Sequence, residues 1–135
     1  MPITAETARE IFRKLEQGNG AGFFDHVADD VDWTVMGTHP LAGRYRSKAD
    51  FRAATFERLN TALQDGPQLR VVDILMAEGW AVVELRSDAL ARNGTPFDNR
   101  YCWLVRFVGP TITEVRAYLD SALVQRVLDE NRAAA

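Results

Sequence analysis

Residues 80–107 read WAVVELRSDALARNGTPFDNRYCWLVRF. Two long, apolar-rich runs flank Asn93-Gly94, a preferred pair for a two-residue type I′ turn. The stretch therefore reads as a β-hairpin, with strands over 80–92 and 95–108. A two-residue turn pairs Arg92 with Thr95 and sets the register beyond it. Asp88 then falls opposite Asn99, Arg86 opposite Tyr101, Glu84 opposite Trp103, Val82 opposite Val105 and Trp80 opposite Phe107.

Alternation sorts these side chains onto two faces. On one, Trp80, Val82, Val105 and Phe107 make a dry end, while Glu84, Arg86, Asp88, Asn99, Tyr101 and Trp103 make a polar end. The other carries Ala81, Val83, Leu85, Cys102 and Leu104, with Arg100 and Arg106 beside them. One face must take helices, and the side with Trp80 and Phe107 suits a core of large groups. The smaller apolar face is then left bare, which soluble monomers rarely tolerate. The expectation is a homodimer through this outer sheet face.

Working outward, further strands are expected over 68–77 and 111–120. In the last, Val115, Ala117 and Leu119 are placed inward, with Ala117 near Trp103. A small residue there leaves room between sheet and helices. A dry floor with polar groups above describes a small-molecule pocket. Asp73 stays open: a two-residue turn at Glu78-Gly79 puts it inward beside Glu84, a three-residue loop outward.

Upstream the period changes to that of helices. Thr4 can cap a helix with Ala8, Ile11, Phe12 and Leu15 on one side, ended by Gly18. GFFDHVADD reads as a short second helix with Phe23, Phe24 and Val27 apolar, followed by a strand, VDWTVMG, and the loop THPLAGRY. A third helix spans SKADFRAATFERLNTAL; Ser47 and Asp50 have capping-box spacing, Phe51, Thr55, Leu59 and Leu63 line one side, and Gly66 and Pro67 stop it. A short amphipathic tail, SALVQRVL, closes the chain. Three helices in the N-terminal half and an antiparallel meander after them predict a single α+β domain over 1–135, with helices on one face of the sheet.

Composition agrees with an ordinary globular protein: 135 residues, 47% apolar, 26% charged, formal charge −3. No basic stripe for nucleic acid or a membrane surface is evident. The one cysteine, Cys102, excludes an internal disulfide framework. The start MPITAETAREIF lacks a signal-peptide pattern, so a cytoplasmic setting is the default expectation.

The strongest constellation is Glu84, Arg86 and Asp88, which share a strand face. Arg86 would keep one carboxylate ionised while apolar walls raise the pKa of the other, giving an acid and a base. The competing reading is a solvated charge ladder near the sheet end. Tyr101 and Asn99 are ligand-orienting candidates, since a buried hydroxyl or amide needs a partner. His39, in a loop at the expected rim, could carry a proton near neutral pH, though a lone loop histidine is more often simply exposed. Trp33, Trp103, Ala117 and Leu119 complete the candidate pocket wall, with Trp33 as readily core. No metal-ligand spacing and no glycine-rich phosphate loop is present, so no cofactor is expected.

The order of elements resembles the nuclear transport factor 2-like superfamily, and within it the SnoaL-like, ketosteroid isomerase-related group. The stretches FFDHVADDVDWTVMGTHPLAGRY, FDNRYCWLVRF and ITEVRAYLD carry the resemblance. It implies a cystatin-like, cone-shaped barrel of curved antiparallel sheet, with helices on its concave face and frequent dimerisation. Its members include isomerases, polyketide cyclases, epoxide hydrolases, dehydratases and proteins without catalysis, so fold does not settle function. The isomerase's base, protonated Asp and Tyr would fall near Val35, Trp103 and Ile11, so that mechanism is not retained. Arg86 and Asp88 match the Arg-x-Asp spacing of limonene epoxide hydrolase, but its second Asp falls at Ala117. Asp120 resembles the acid/base of polyketide cyclases in position, yet alternation turns it away from Val115 and Leu119.

The leading expectation is a cofactor-independent isomerase, cyclase, dehydratase or hydrolase acting on a small, compact, apolar metabolite. Asp88 and Glu84 would supply acid/base chemistry beside Arg86. The alternatives are a non-catalytic small-ligand binder using the same pocket, and a dimeric interaction module with a filled core.

Overall fold

The computed structural model describes residues 2–66 and 68–132. Pro67, expected to stop the third helix, lies outside them. In chain order the elements are α1 (Ala5–Glu16), α2 (Gly20–Phe24), β1 (Val27–Val35), β2 (Gly43–Tyr45), α3 (Lys48–Ala54), α4 (Phe56–Ala62), β3 (Leu69–Ala77), β4 (Trp80–Ser87), β5 (Ala89–Leu90), β6 (Pro96–Phe97), β7 (Arg100–Val108), β8 (Thr111–Leu119) and α5 (Ser121–Glu130).

The helices form where the apolar spacing and caps direct them. The Thr4 hydroxyl accepts from the Thr7 amide at 3.1 Å, and α1 buries Ala8, Ile11, Phe12 and Leu15. Ser47 accepts from the Asp50 amide at 3.0 Å and starts α3. The expected third helix is broken in two. The Thr55 hydroxyl donates to the Phe51 carbonyl at 2.7 Å, and Thr55 takes φ −118° and ψ −77° between α3 and α4. Such a back-bond competes with the helix and bends it. The second helix is shorter than expected. It ends at Phe24, because the Ile112 amide donates to the His26 carbonyl at 2.7 Å and Val27 pairs with Ile112.

Six strands make one sheet in the order β2-β1-β8-β7-β4-β3. All pairs are antiparallel except β1 with β8, which run parallel. Register shifts interrupt the ladders at Val27/Asp32, Val71/Asp73 and Arg106/Phe107. Bulges of this kind bend strands and curve a sheet. The helices pack on the inner face, and the architecture is the expected α+β cone of curved sheet and helices.

The hairpin register departs from expectation by one residue. Among the described residues no non-glycine has positive φ, whereas a type I′ turn needs it at both central positions. Instead, within this hairpin loop, only Gly94 has a positive φ, of +90°. The Gly94 amide donates to Ala91 at 2.9 Å, and Ala91 donates to the Thr95 carbonyl at 2.8 Å. The loop is therefore three residues, 92–94. Val83 pairs with Trp103, Ala81 with Val105 and Leu85 with Tyr101.

A one-residue slip turns every β4 side chain to the other face. Ala81, Val83 and Leu85 are thus core, and Trp80, Val82, Glu84 and Arg86 are outside. Glu84 stands opposite Asp73 across a two-residue turn, as one alternative for that turn required, but both point outward. The small apolar patch read from the sequence is corrected accordingly. Cys102, Leu104, Arg100 and Arg106 remain on the outer face, joined by Trp80, Val82 and Tyr118 rather than by Ala81, Val83 and Leu85.

Buried apolar groups fall into two clusters. The larger lies between the sheet and α1–α3, centred on Phe12, Phe23, Phe24, Trp33 and Trp103. The smaller joins α4, α5 and the β5–β6 ribbon through Leu59, Leu63, Phe97, Val124 and Val127. The candidate site lies at their seam.

Candidate functional site

A cavity of about 50 Å³ opens where the two clusters meet. Its floor is the sheet: Trp33 and Val35 of β1, Tyr101 and Trp103 of β7, Ala117 and Leu119 of β8. Its roof is Phe51, Thr55, Phe56 and Leu59 of the broken helix, Phe97 of the ribbon and Val124 of α5. Leu41 and Leu69 close the sides. A site that buries a drug-sized ligand measures roughly 300–1,000 Å³. The cavity is therefore well below the size of a site that buries a drug-sized ligand.

Aromatic rings set the shape. Phe51 stacks on Trp33 with centroids 3.9 Å apart and an interplanar angle of 19°. Trp103 meets Trp33 edge-on at 5.2 Å, and Tyr101 meets Trp103 at 6.2 Å. Offset and edge contacts of this sort fix ring orientation. Ala117, paired with Trp103 across β7–β8, provides the gap in which the cavity sits.

Polar groups on the lining are few. Thr55 spends its proton on Phe51. The Tyr101 phenol is pushed far above its ordinary pKa by burial, while the Ser87 hydroxyl beside it pulls the other way. It is held as a neutral O–H donor. Trp33 is fully buried, and its Nε1–H has no hydrogen-bond partner among the described residues. No aspartate, glutamate, histidine, lysine or arginine lines the cavity among the described residues.

Trp33, Tyr101, Trp103, Ala117 and Leu119 are thus brought to one cavity. Five other candidates are not. Glu84, Arg86 and Asp88 lie on or beyond the outer face of β4, because of the register slip. Asp88 pairs with Arg70 at 3.1 Å, with both side chains more than half exposed. Arg86 stands between Arg70 and Arg100 on the neighbouring strands. The trio forms a charge ladder on the outer side of the sheet, away from the cavity.

His39 is buried, not displayed at a rim. Its Nδ1 accepts from the Leu41 amide at 3.2 Å and its Nε2–H donates to the Met36 carbonyl at 3.1 Å. Burial lowers its pKa, only partly opposed by that carbonyl. It organises the turn after β1 and does not reach the cavity. Asn99 is 1% exposed and fully engaged. Its Oδ1 accepts from Asp120 N–H at 2.9 Å and Arg100 N–H at 2.7 Å, and its Nδ2 donates to the Asp120 carbonyl at 3.2 Å. Asp120 in turn caps α5 by accepting from the Leu123 amide at 3.2 Å. Asn99 clamps the base of α5.

Sequence reading also missed the roof. The amphipathic tail was the available signal, since Val124, Val127 and Leu128 need an apolar bed. Among the described residues no cluster of His, Cys, Asp or Glu could hold a metal ion, and no helix is long and apolar enough to cross a membrane.

Comparison with known proteins places this geometry. A nuclear transport factor 2-like protein of Burkholderia thailandensis superposes with a TM-score of 0.78 at 22% identity, covering 91% of this chain and 95% of that one. A Xanthomonas campestris protein described as having a cystatin-like fold gives 0.71 at 21% identity, covering 90% and 95%. At such identities the likeness shows the fold alone. Among curated proteins, the dimerizing cyclase phiC of a fungal species (strain ATCC 74256) is 29% identical over 126 residues, 90% of this chain and 55% of that protein. The dimerizing cyclase tstC of Talaromyces stipitatus is 28% identical over 112 residues, 80% and 50% respectively. The chain spans about half the length of the curated relatives it matches. The profile of the SnoaL-like domain matches residues 8–115, most of the chain, and the chain therefore belongs to the SnoaL-like domain family.

Proposed function

We propose that this chain takes a compact, apolar metabolite into the cavity under α5 and promotes its cyclisation or isomerisation without a cofactor. The observation that carries the reading is the lining itself: aromatic and aliphatic walls, hydroxyl and indole donors, and, among the described residues, no charged side chain. Such a site works by confinement, holding a flexible molecule in a reactive conformer. The neutral Tyr101 O–H adds a donor where negative charge develops, in surroundings dry enough for that bond to count. The curated relatives described as dimerizing cyclases support a cyclase-type reaction. Trp33, Tyr101, Trp103, Ala117 and Leu119 are the residues proposed to touch the ligand.

The same lining favours one second reading. A cavity without a general base also suits a protein that binds and does not transform. Native mass spectrometry of gently purified protein identifies any retained molecule, which then serves as the assay substrate. The catalytic reading expects Tyr101→Phe to lower turnover while binding persists, and expects the double variant Glu84→Gln, Asp88→Asn to match wild type. Loss of turnover in the double variant would restore the outer carboxylates as catalytic groups. Binding without turnover in the wild type would leave a binder.

The same spectrum reads the assembly. We propose a homodimer through the outer sheet face, where Tyr118 is 46% exposed beside Val82, Leu104 and Trp80. A monomer at micromolar concentration would refute it.

A further inference from the structure

Among the described residues, Trp33 is the lining residue whose side-chain polar atom is buried and unbonded. Its indole is 0% exposed, sandwiched by Phe51 at 3.9 Å and closed by the Trp103 edge at 5.2 Å. Its Nε1–H finds no acceptor among the described residues. Buried donors in native proteins are nearly always satisfied, and an orphan calls for an explanation. Phenylalanine would fill this position without the cost of a stranded N–H. The indole is among the groups lining the cavity, and a molecule bound there is the remaining source of an acceptor for it.

From this we infer that Trp33 Nε1–H is a ligand-recognition donor, and that the ligand is neutral and presents a carbonyl-type oxygen to it. The inference rests on the pocket reading above and narrows it. The rest of the lining specifies the class. Among the described residues no lysine, arginine or histidine lines the cavity, so a carboxylate or phosphate would be desolvated without a counter-charge. Nor does any carboxylate among the described residues, which disfavours an ammonium. A pure hydrocarbon fits the walls but leaves Nε1–H stranded. A neutral ketone, ester or lactone satisfies both. A lone water is the competing occupant, and it needs two to four polar partners in a cavity that offers almost none.

The test uses an isosteric pair. Cyclohexanone and methylenecyclohexane differ only in C=O against C=CH2, and cyclohexanecarboxylate supplies the anion. Each is titrated into 15N-labelled full-length protein, where the three tryptophans give separate indole N–H signals. Cyclohexanone is expected to shift the Trp33 indole signal and to bind about tenfold more tightly than methylenecyclohexane, the value of one buried hydrogen bond. Trp33→Phe is expected to lower cyclohexanone to the hydrocarbon's affinity while leaving methylenecyclohexane unchanged. Cyclohexanecarboxylate is expected to bind more weakly than either.

Equal binding of the isosteres in the wild type overturns the inference and leaves the pocket intact. So does a preference that survives Trp33→Phe and vanishes in Tyr101→Phe, which would assign the donor to Tyr101. Carboxylate binding as tight as that of the ketone overturns the neutral class. If neither neutral probe moves any signal of the lining residues, the pocket reading itself fails. Should Trp33→Phe not fold, the wild-type indole shift still decides between ketone and hydrocarbon.

Discussion

Replacing Asn99 by alanine separates a structural role from a ligand-binding one. The amide joins the start of β7 to the β8–α5 joint through two bonds to Asp120, at 2.9 and 3.2 Å, and it is itself buried. Its third bond, to the Arg100 amide, is local. Each lost bond contributes about 1 kcal/mol net, and a buried amide left unpaired adds to that, so the variant is expected to lose about 2–3 kcal/mol. For a domain of this size that lowers Tm by about 10 °C. Urea unfolding at constant m-value reads the loss directly.

The loss should also be uneven. With its base loosened, α5 opens at lower cost than the sheet. Amide exchange should therefore quicken over 121–130 more than over β7. Asn99→Asp keeps the acceptor but exchanges the donor for a charge facing the Asp120 carbonyl, and is expected to cost at least as much. A stability change under about 0.5 kcal/mol, the range of an ordinary surface substitution, together with lost ligand binding, would refute the clamp and make Asn99 a ligand group.

Three further outcomes follow from the same geometry. Ala117→Leu sends its extra carbons into the cavity and so should change stability by less than about 1 kcal/mol, against the 1–3 typical of an overpacked core; calorimetry should show cyclohexanone binding abolished, and retained binding would place the site elsewhere. Gly94→Ala meets nothing within 4 Å, so the φ of +90° is its whole penalty. It should cost about 1–2 kcal/mol in urea unfolding, and a neutral result would contradict the three-residue loop. The folded-state pKa of His39 lies below the ordinary 6.5, so the unfolded chain holds more protons as pH falls through that value. Stability should therefore decline on acidification from about pH 7 and level off below the folded pKa; His39→Gln should flatten the wild-type change between pH 7.5 and 5.5, and an unchanged slope would locate the proton elsewhere.

Much of the fold was legible because local signals agreed with one another. The Thr4 and Ser47 caps, the stripe Ala8, Ile11, Phe12 and Leu15, and the inward set Val115, Ala117 and Leu119 all stand where periodicity puts them. The candidate site was half legible, and its failures share one cause. Asn-Gly serves a type I′ turn, but the same glycine also serves a three-residue loop, and the two differ by one residue of register. The hydrophobic pattern could have arbitrated. Ala81, Val83, Leu85 and Ser87 form an uncharged set fit for burial, whereas the alternative set placed Glu84, Arg86 and Asp88 beneath helices. A buried charge costs more than a turn preference yields. His39 and Asn99 were misread for a different reason. Their partners are backbone groups whose proximity depends on where α5 and the turn after β1 come to rest, which no spacing in the sequence records.

The parallel pairing of β1 with β8 carries a consequence for synthesis. β1 leaves the ribosome as an apolar strand containing Trp33, yet the neighbour that covers one of its edges is not made until residue 119. The short β2, pairing only over 43–45, is all that flanks it in the meantime. An edge left unpaired until β8 is made is a site at which another strand would pair. The strand's own composition answers this hazard. Asp29, Asp30 and Asp32 interrupt VADDVDWTV, and Asp29 and Asp30 remain exposed after folding. Charges at such positions cost little in the finished sheet, where Asp29 pairs with Lys48 and Asp32 with Arg44, and they would repel a second copy of the strand before β8 is in place.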